Sequence, residues 1–139
     1  MEFKYFNPNP EFKTFKSGKA KSWYKNDFAV RALCAALNIT WDEAYEKLVD
    51  TGKKLHNMPD TKEVFNEVLL LNGFIFETLG KPKVGTFRKN ISEFMEGRDT
   101  GIYILNLAGT FVTVKNGELL DVHDLSRDNK TVYSYWYKA

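Results

Sequence analysis

The sequence has very little of the chemistry that marks an enzyme or a metal protein. Its 139 residues include one cysteine, Cys34, and two histidines, His56 and His123. One cysteine excludes an intrachain disulfide and a multi-cysteine zinc site, and two isolated histidines have no metal-ligand spacing. A single thiol suits a reducing compartment. We therefore expect no metal and no cofactor.

Long apolar runs and a strong charge of one sign are also missing. No apolar run approaches the roughly 18 residues that a membrane span needs. The first residues, MEFKYFNPNPEFK, lack the apolar core of a secretory signal. A formal net charge of +2 is too small to indicate a nucleic-acid partner. These absences predict a cytoplasmic protein with neither a membrane nor a nucleic acid as its partner.

The composition is that of a folded protein. Hydrophobic residues make up 43% of the chain and aromatic residues 15%, which fits one globular domain over residues 1–139. Residues 1–25 differ from the rest, with six lysines against two glutamates, interleaved aromatics and two Asn-Pro pairs. Because proline opposes helix, we expect an extended N-terminal wrap here. The same mixture is also typical of a single-strand nucleic-acid platform.

Helix signals fill the middle of the chain. Asn26 or Asp27 can cap a helix over residues 28–37, whose apolar positions recur at helical spacing. Thr40 and Glu43 form a capping-box pattern for a second helix. TKEVFNEVLLLNG predicts a third helix, capped at Asp60 or Thr61. A fourth is predicted from Thr86, with Phe87, Ile91, Phe94 and Met95 on one side.

Strand signals dominate the last forty residues. GIYILNLAGTFVTVKNGELLDVHD predicts three short strands, with Asn116-Gly117 as a tight hairpin turn. GFIFETL and TVYSYWYK add two more. Helices followed by a mostly antiparallel sheet predict an α+β fold.

Several stretches, in their order along the chain, resemble a known family. FKYFNPNP, NDFAVRAL, TWDEAYEKL, GIYILNLAGTFVTVKNG, LLDVHD and YSYWYK are similar to the successive motifs of small phage-borne proteins with the papain-like cysteine peptidase fold. The resemblance covers nearly the whole chain. It implies N-terminal helices packed on a C-terminal, mostly antiparallel sheet, and a groove between the first helix and the sheet.

The same resemblance shows where the catalytic residues of the family would lie. Phe28 stands at the nucleophile position and Thr110 at the histidine position, while Asp121 matches the retained acid. A cysteine at a helix N-terminus is activated by the helix dipole and by a histidine across the cleft. Phenylalanine cannot attack a substrate, and threonine cannot act as a base near neutral pH. The resemblance therefore implies an inactivated scaffold.

An inactivated scaffold leaves binding as the expected function. We expect a host protein or a small molecule in the former active-site groove, with a nucleotide-like defence signal as one candidate. Such a counter-defence factor would act in the host cytoplasm. The residues expected to line the groove are Asp27, Phe28, Thr110, Thr113, Asp121 and His123.

Two other functions remain open at the level of sequence. Asp121 and His123 could serve a hydrolase with relocated chemistry, with Thr110 or Ser126 supplying a hydroxyl. The aromatic final strand could instead be the surface of a structural homo-oligomer. Cys34 is a poor substitute nucleophile, because it lies about 9 Å along the first helix from position 28 and roughly 240° around it.

Overall fold

The computed structural model describes residues 1–11 and 26–139. In this part of the chain four α-helices and one 3-10 turn accompany a six-stranded sheet. The helices are α1 (Phe28–Leu37), α2 (Trp41–Leu55), α3 (Lys62–Leu71) and α4 (Ile91–Met95), and the 3-10 turn is Leu125–Arg127. The strands are β1 (Glu2–Tyr5), β2 (Ile75–Thr78), β3 (Ile102–Leu107), β4 (Thr110–Lys115), β5 (Glu118–Asp121) and β6 (Ser134–Lys138). The α+β class is confirmed.

Side-chain caps explain where α2 and α3 begin. The Thr40 hydroxyl accepts from the Glu43 amide at 3.2 Å, and the Glu43 carboxylate accepts from the Thr40 amide at 3.0 Å. Thr61 caps α3 in the same way, accepting from the Val64 amide at 3.4 Å. Each cap satisfies helix amides that have no partner inside the helix. The predicted starts of these two helices are confirmed.

The predicted start of the fourth helix is wrong. Thr86 donates its hydroxyl to the Lys83 carbonyl in a turn, at 2.6 Å, instead of capping a helix. The cap is Asn90, which forms a capping box with Glu93. Phe87 was expected on the apolar side of this helix, but it precedes the helix and is 94% exposed.

The strand order of the sheet is β1-β5-β4-β3-β6-β2. The β3–β4 and β4–β5 pairs are antiparallel hairpins, the second turning at Asn116-Gly117 as predicted. The final strand, β6, lies between β3 and β2 and is antiparallel to both. Both hydrogen-bonding edges of β6 are therefore occupied, so this strand cannot pair edge to edge with a second copy.

The first residues of the predicted N-terminal wrap form a strand. β1 pairs in parallel with β5, so that Glu2 lies beside Glu118 and Tyr5 beside Asp121. The Phe6 amide continues this pairing by donating to the Asp121 carbonyl at 2.9 Å. Residues 12–25, the remainder of the predicted wrap, lie outside the described residues. The pairing of β1 with β5 also brings Asn9 to Asp27, the residue that precedes α1.

The sheet has a hydrophobic core on each of its two faces. The larger core packs α1, α2 and α3 against the sheet, with Leu33, Phe65 and Trp136 almost completely buried. The smaller core packs α4 against the opposite face, around Leu105, Val112 and other aliphatic side chains. Successive residues of β3, β4 and β6 therefore alternate between the two cores, as strand geometry requires.

Candidate functional site

Phe28 is the first residue of α1, and its ring packs against the sheet. The ring meets Phe111 of β4 edge to face, with centroids 5.3 Å apart. Phe111 in turn contacts the rings of Phe65 and Trp136 at 4.4 and 5.4 Å. Phe28 thus extends the larger aromatic core to the N-terminus of α1, and it occupies part of the space between this helix and the sheet.

Thr110 does not share the space occupied by Phe28. It pairs directly with Leu107, a buried residue of the smaller core, and cross-strand partners point to the same face of a sheet. Its next neighbour, Phe111, points to the opposite face and contacts Phe28. The expected groove between Phe28 and Thr110 is therefore corrected: the residue of β4 that faces the start of α1 is Phe111.

Asp27 immediately precedes α1 and forms a buried polar centre. It occupies the N-cap position, but its carboxylate caps no helix amide. One oxygen, Oδ2, accepts from the side-chain amide of Asn9 and from the indole N–H of Trp41, both at 2.9 Å. The other oxygen, Oδ1, accepts from Nε of Arg31 at 2.9 Å. This carboxylate therefore ties the N-terminal segment, α1 and α2 together.

Arg31 joins Asp27 to Asp121, the last residue of β5. Its Nε donates to Asp27, and its Nη1 donates to Oδ1 of Asp121. Asp121 also accepts from the Val122 amide at 2.7 Å. All three side chains are almost completely buried, with 8–11% of each exposed. One guanidinium therefore balances two carboxylates inside the protein.

The pKa values of the two carboxylates, Asp27 and Asp121, are shifted in opposite directions. Burial raises the pKa of Asp27, but hydrogen bonds from Asn9 and Trp41 and the charge of Arg31 outweigh it, so the pKa lies below its ordinary value. At Asp121 burial dominates and raises the pKa, although Arg31 and the Val122 amide act in the opposite direction. Asp121 is thus a buried partner of Arg31, and the charge of His123 also acts to lower its pKa.

Cys34 is buried in the larger core, with 1% of its surface exposed. Burial, followed by the negative charge of Asp27, raises the pKa of its thiol to about 11. A thiolate is the reactive form of cysteine, and at neutral pH a thiol with this pKa is almost entirely protonated. Cys34 is thus a packing residue.

The other predicted groove residues lie apart from Phe28 or are already engaged. The Thr113 side chain is completely buried and donates to the Ala32 carbonyl at 2.8 Å. His123 lies two residues beyond the end of β5 and so is not part of the strand that carries Asp121. Its Nε2 lies 3.1 Å from both carboxylate oxygens of Asp128. The Ser126 hydroxyl donates to Asp124 at 2.5 Å and not to His123.

A pocket of about 520 Å³ opens beside Asp27, at the N-terminal end of α1. We call it the α1–α2 pocket. Its described lining residues are Asn9, Pro10, Glu11, Asn26, Asp27, Ala29, Val30, Trp41, Asp42, Tyr45, Leu48, Pro59 and Asp60. Of the predicted site residues, only Asp27 is among them. Its volume is that of ordinary small-molecule sites.

Two aromatic rings of α2 form part of the pocket wall. Trp41 and Tyr45 stack face to face, with centroids 5.2 Å apart and an interplanar angle of 10°. Sequence reasoning missed them as site residues, although one signal was present. Trp41 and Tyr45 lie four residues apart and so share one side of α2, and Tyr45 sits on a charged helix where core packing does not require an aromatic ring.

Comparison of the chain with protein-family models, with curated proteins and with solved structures gave no match. Within residues 1–11 and 26–139, none of the helices has the length and apolar character needed to cross a membrane. The same residues contain no group of three or more His, Cys, Asp or Glu side chains placed to hold a metal ion. The candidate site is therefore defined by geometry alone.

Proposed function

We propose that this protein is a non-catalytic binding protein on an inactivated papain-like frame, and that its ligand occupies the α1–α2 pocket. The observation that carries this proposal is the pocket itself. It has the volume of a ligand site, and its described lining contains no thiol, hydroxyl nucleophile or imidazole apart from the phenol of Tyr45. A pocket with this lining can bind a molecule but lacks the thiol, serine hydroxyl and imidazole of a cysteine or serine hydrolase.

The start of α1 supports the same proposal. An active papain-like enzyme needs a thiol at the helix N-terminus and a base facing it. This protein has two phenylalanine rings in contact there, Phe28 and Phe111. Its one cysteine is buried elsewhere in the helix. The resemblance to phage-borne proteins further suggests a host-derived ligand and a counter-defence role.

The charge of the pocket narrows the choice of ligand. Four carboxylates are among its described lining residues: Glu11, Asp27, Asp42 and Asp60. Arg31 balances Asp27, but the other three are exposed. Because like charges repel, these described carboxylates disfavour phosphate groups. A nucleotide-like signal is therefore a weaker candidate than a neutral or positively charged molecule.

A fragment screen with a blocked pocket tests the proposal. Ala29 lines the pocket, whereas Ala108 is exposed in the β3–β4 turn. We expect fragments that shift amide resonances around the pocket in the wild-type protein to lose this effect in Ala29→Trp. They should keep it in Ala108→Trp, the matched control. Circular dichroism would establish that both variants fold.

The proposal would be refuted if no fragment of the library shifted resonances at the pocket of the wild-type protein. It would also fail if the fragments bound a folded Ala29→Trp as well as they bound the control. If the protein only binds its ligand, His123→Ala should leave fragment binding unchanged, because His123 is not among the described lining residues. The hydrolase alternative, in contrast, requires His123. Turnover of a fragment that disappeared in His123→Ala would instead support that alternative.

A further inference from the structure

The residues that line the α1–α2 pocket indicate the chemical class of its ligand. Among the described lining residues are a stacked pair of aromatic rings and four carboxylates, and neither lysine nor arginine is present. The remaining lining residues are aliphatic, such as Val30 and Leu48, together with two prolines and two asparagines. A ligand that fills this pocket meets apolar and aromatic surface with negative charge around it.

Trp41 and Tyr45 are well suited to contact a cation. An aromatic face attracts a positive charge through the ring quadrupole, and the indole of tryptophan does so best. The Trp41 indole N–H donates to the buried Asp27 carboxylate at 2.9 Å. This bond fixes the ring in place before any ligand binds, and its donation to an anion increases the electron density of the ring. Tyr45, stacked on it, is 48% exposed and therefore accessible.

The carboxylates of the pocket would also attract a positively charged group. Asp42 follows Trp41 in the first turn of α2, and Asp60 lies in the loop before α3. Both are exposed and line the pocket, as does Glu11. A positive group between these residues would gain from several negative charges at once, whereas a negative group would be repelled by all of them.

We propose that the α1–α2 pocket selects a small organic cation, an amine or guanidinium carried on an apolar body. The apolar body packs on Val30 and Leu48, and the positive group faces the Trp41–Tyr45 pair and the carboxylates of Asp42 and Asp60. This inference rests on the proposed binding function and adds the chemical class of the ligand.

Three probes that share one aromatic body isolate the contribution of charge. Phenethylamine is a cation at pH 7, phenethyl alcohol is neutral, and phenylacetate is an anion. Titration would be followed through the indole ¹H–¹⁵N resonance of Trp41, assigned by its loss in Trp41→Phe. We expect the amine to bind more tightly than the alcohol, and the alcohol more tightly than the acetate. The advantage of the amine should shrink at high salt, because exposed charges are screened.

Two variants and one control test whether the preference for the amine arises from residues of the pocket. Asp42→Asn with Asp60→Asn removes two charges at the pocket, and we expect amine binding to weaken roughly fivefold. Tyr45→Leu removes an aromatic face but keeps apolar volume, and we expect about a threefold loss. Asp50→Asn makes the same chemical change on α2 at an exposed residue outside the described lining, and it should have little effect. The alcohol should respond to the double variant much less than the amine does.

The outcomes separate this inference from the proposed function. If the alcohol or the acetate binds at Trp41 as tightly as the amine, the pocket is a ligand site but the cation inference is wrong. Weakening by Asp50→Asn in proportion to the one charge that it removes would also overturn it, because the effect would then be one of net charge. Binding of an arginine-containing blocked peptide without binding of any free amine would overturn the assignment to a small molecule. If no probe and no library fragment reaches the pocket, the proposed function itself fails.

Discussion

The buried guanidinium of Arg31 provides the sharpest test of how this structure is held together. Arg31→Met keeps much of the apolar volume but leaves the carboxylates of Asp27 and Asp121 in the interior without a counter-charge. Removing one partner of a buried ion pair typically costs about 3–5 kcal/mol. A domain of this kind has a free energy of unfolding of only about 5–15 kcal/mol. Arg31→Met should therefore lose a large fraction of its stability at pH 7.

Arg127 supplies the matched control. It also pairs with an aspartate, Asp124, at 3.5 Å, but its side chain is 83% exposed. Exposed pairs contribute about 0–1 kcal/mol, so Arg127→Met should be nearly neutral. Urea unfolding of the two variants and the wild type, followed by circular dichroism, measures the difference. Similar losses in both variants would refute the account of Arg31 as the centre of a buried network.

The pH dependence of the stability of Arg31→Met provides a second test of this network. Burial already raises the pKa of Asp121 above its unfolded value of about 4, and loss of the guanidinium raises it further. The folded state then binds more protons than the unfolded state between these pKa values, so stability rises as the pH falls toward 4. The deficit relative to the wild type should therefore narrow from pH 7 to pH 4.5. A deficit that stays constant over this range would contradict the reasoning.

Three further predictions concern single residues. Asp27→Asn should lose about 1–3 kcal/mol at pH 7, because its pKa is lowered in the folded state, and urea unfolding should show the loss shrinking as the pH falls below 4. Cys34 should resist a maleimide at pH 7 in the native protein and react in urea, and rapid native labelling would contradict its burial. Thr40→Ala should lower the free energy of unfolding by about 1 kcal/mol through loss of the α2 cap, and an unchanged urea midpoint would count against this.

Much of the secondary structure could be predicted from the sequence because its signals are local. The α2 cap needs only Thr40 and Glu43, and the β4–β5 turn needs only Asn116-Gly117, whose positive φ angles the structure shows. The α4 start was missed because two residues with capping side chains, Thr86 and Asn90, precede the same apolar stretch. The signal that distinguishes them is also local, because Glu93 stands three residues after Asn90, as in a capping box, whereas Lys89 stands three residues after Thr86.

The candidate site could not be predicted in the same way, because it depends on contacts between distant residues. Asn9 reaches Asp27 only because β1 pairs in parallel with β5, more than 110 residues away along the chain. The side of β4 that faces α1 depends on the turn at residues 108–109, which sets Thr110 opposite Leu107. A shift of one residue in a strand exchanges the two faces. That is why Phe111, and not Thr110, meets Phe28.

The Asp27 carboxylate links the stability of the frame to the shape of the pocket. One of its oxygens takes part in the Arg31 network, and the other holds Asn9 and the Trp41 indole at the pocket. Weakening the network should therefore loosen the aromatic wall, even though Arg31 is not among the described lining residues. Ligand binding that is specific to the folded protein raises its free energy of unfolding with the logarithm of the ratio of ligand concentration to Kd. The stability of the fold and the shape of the pocket thus both depend on the Asp27 carboxylate.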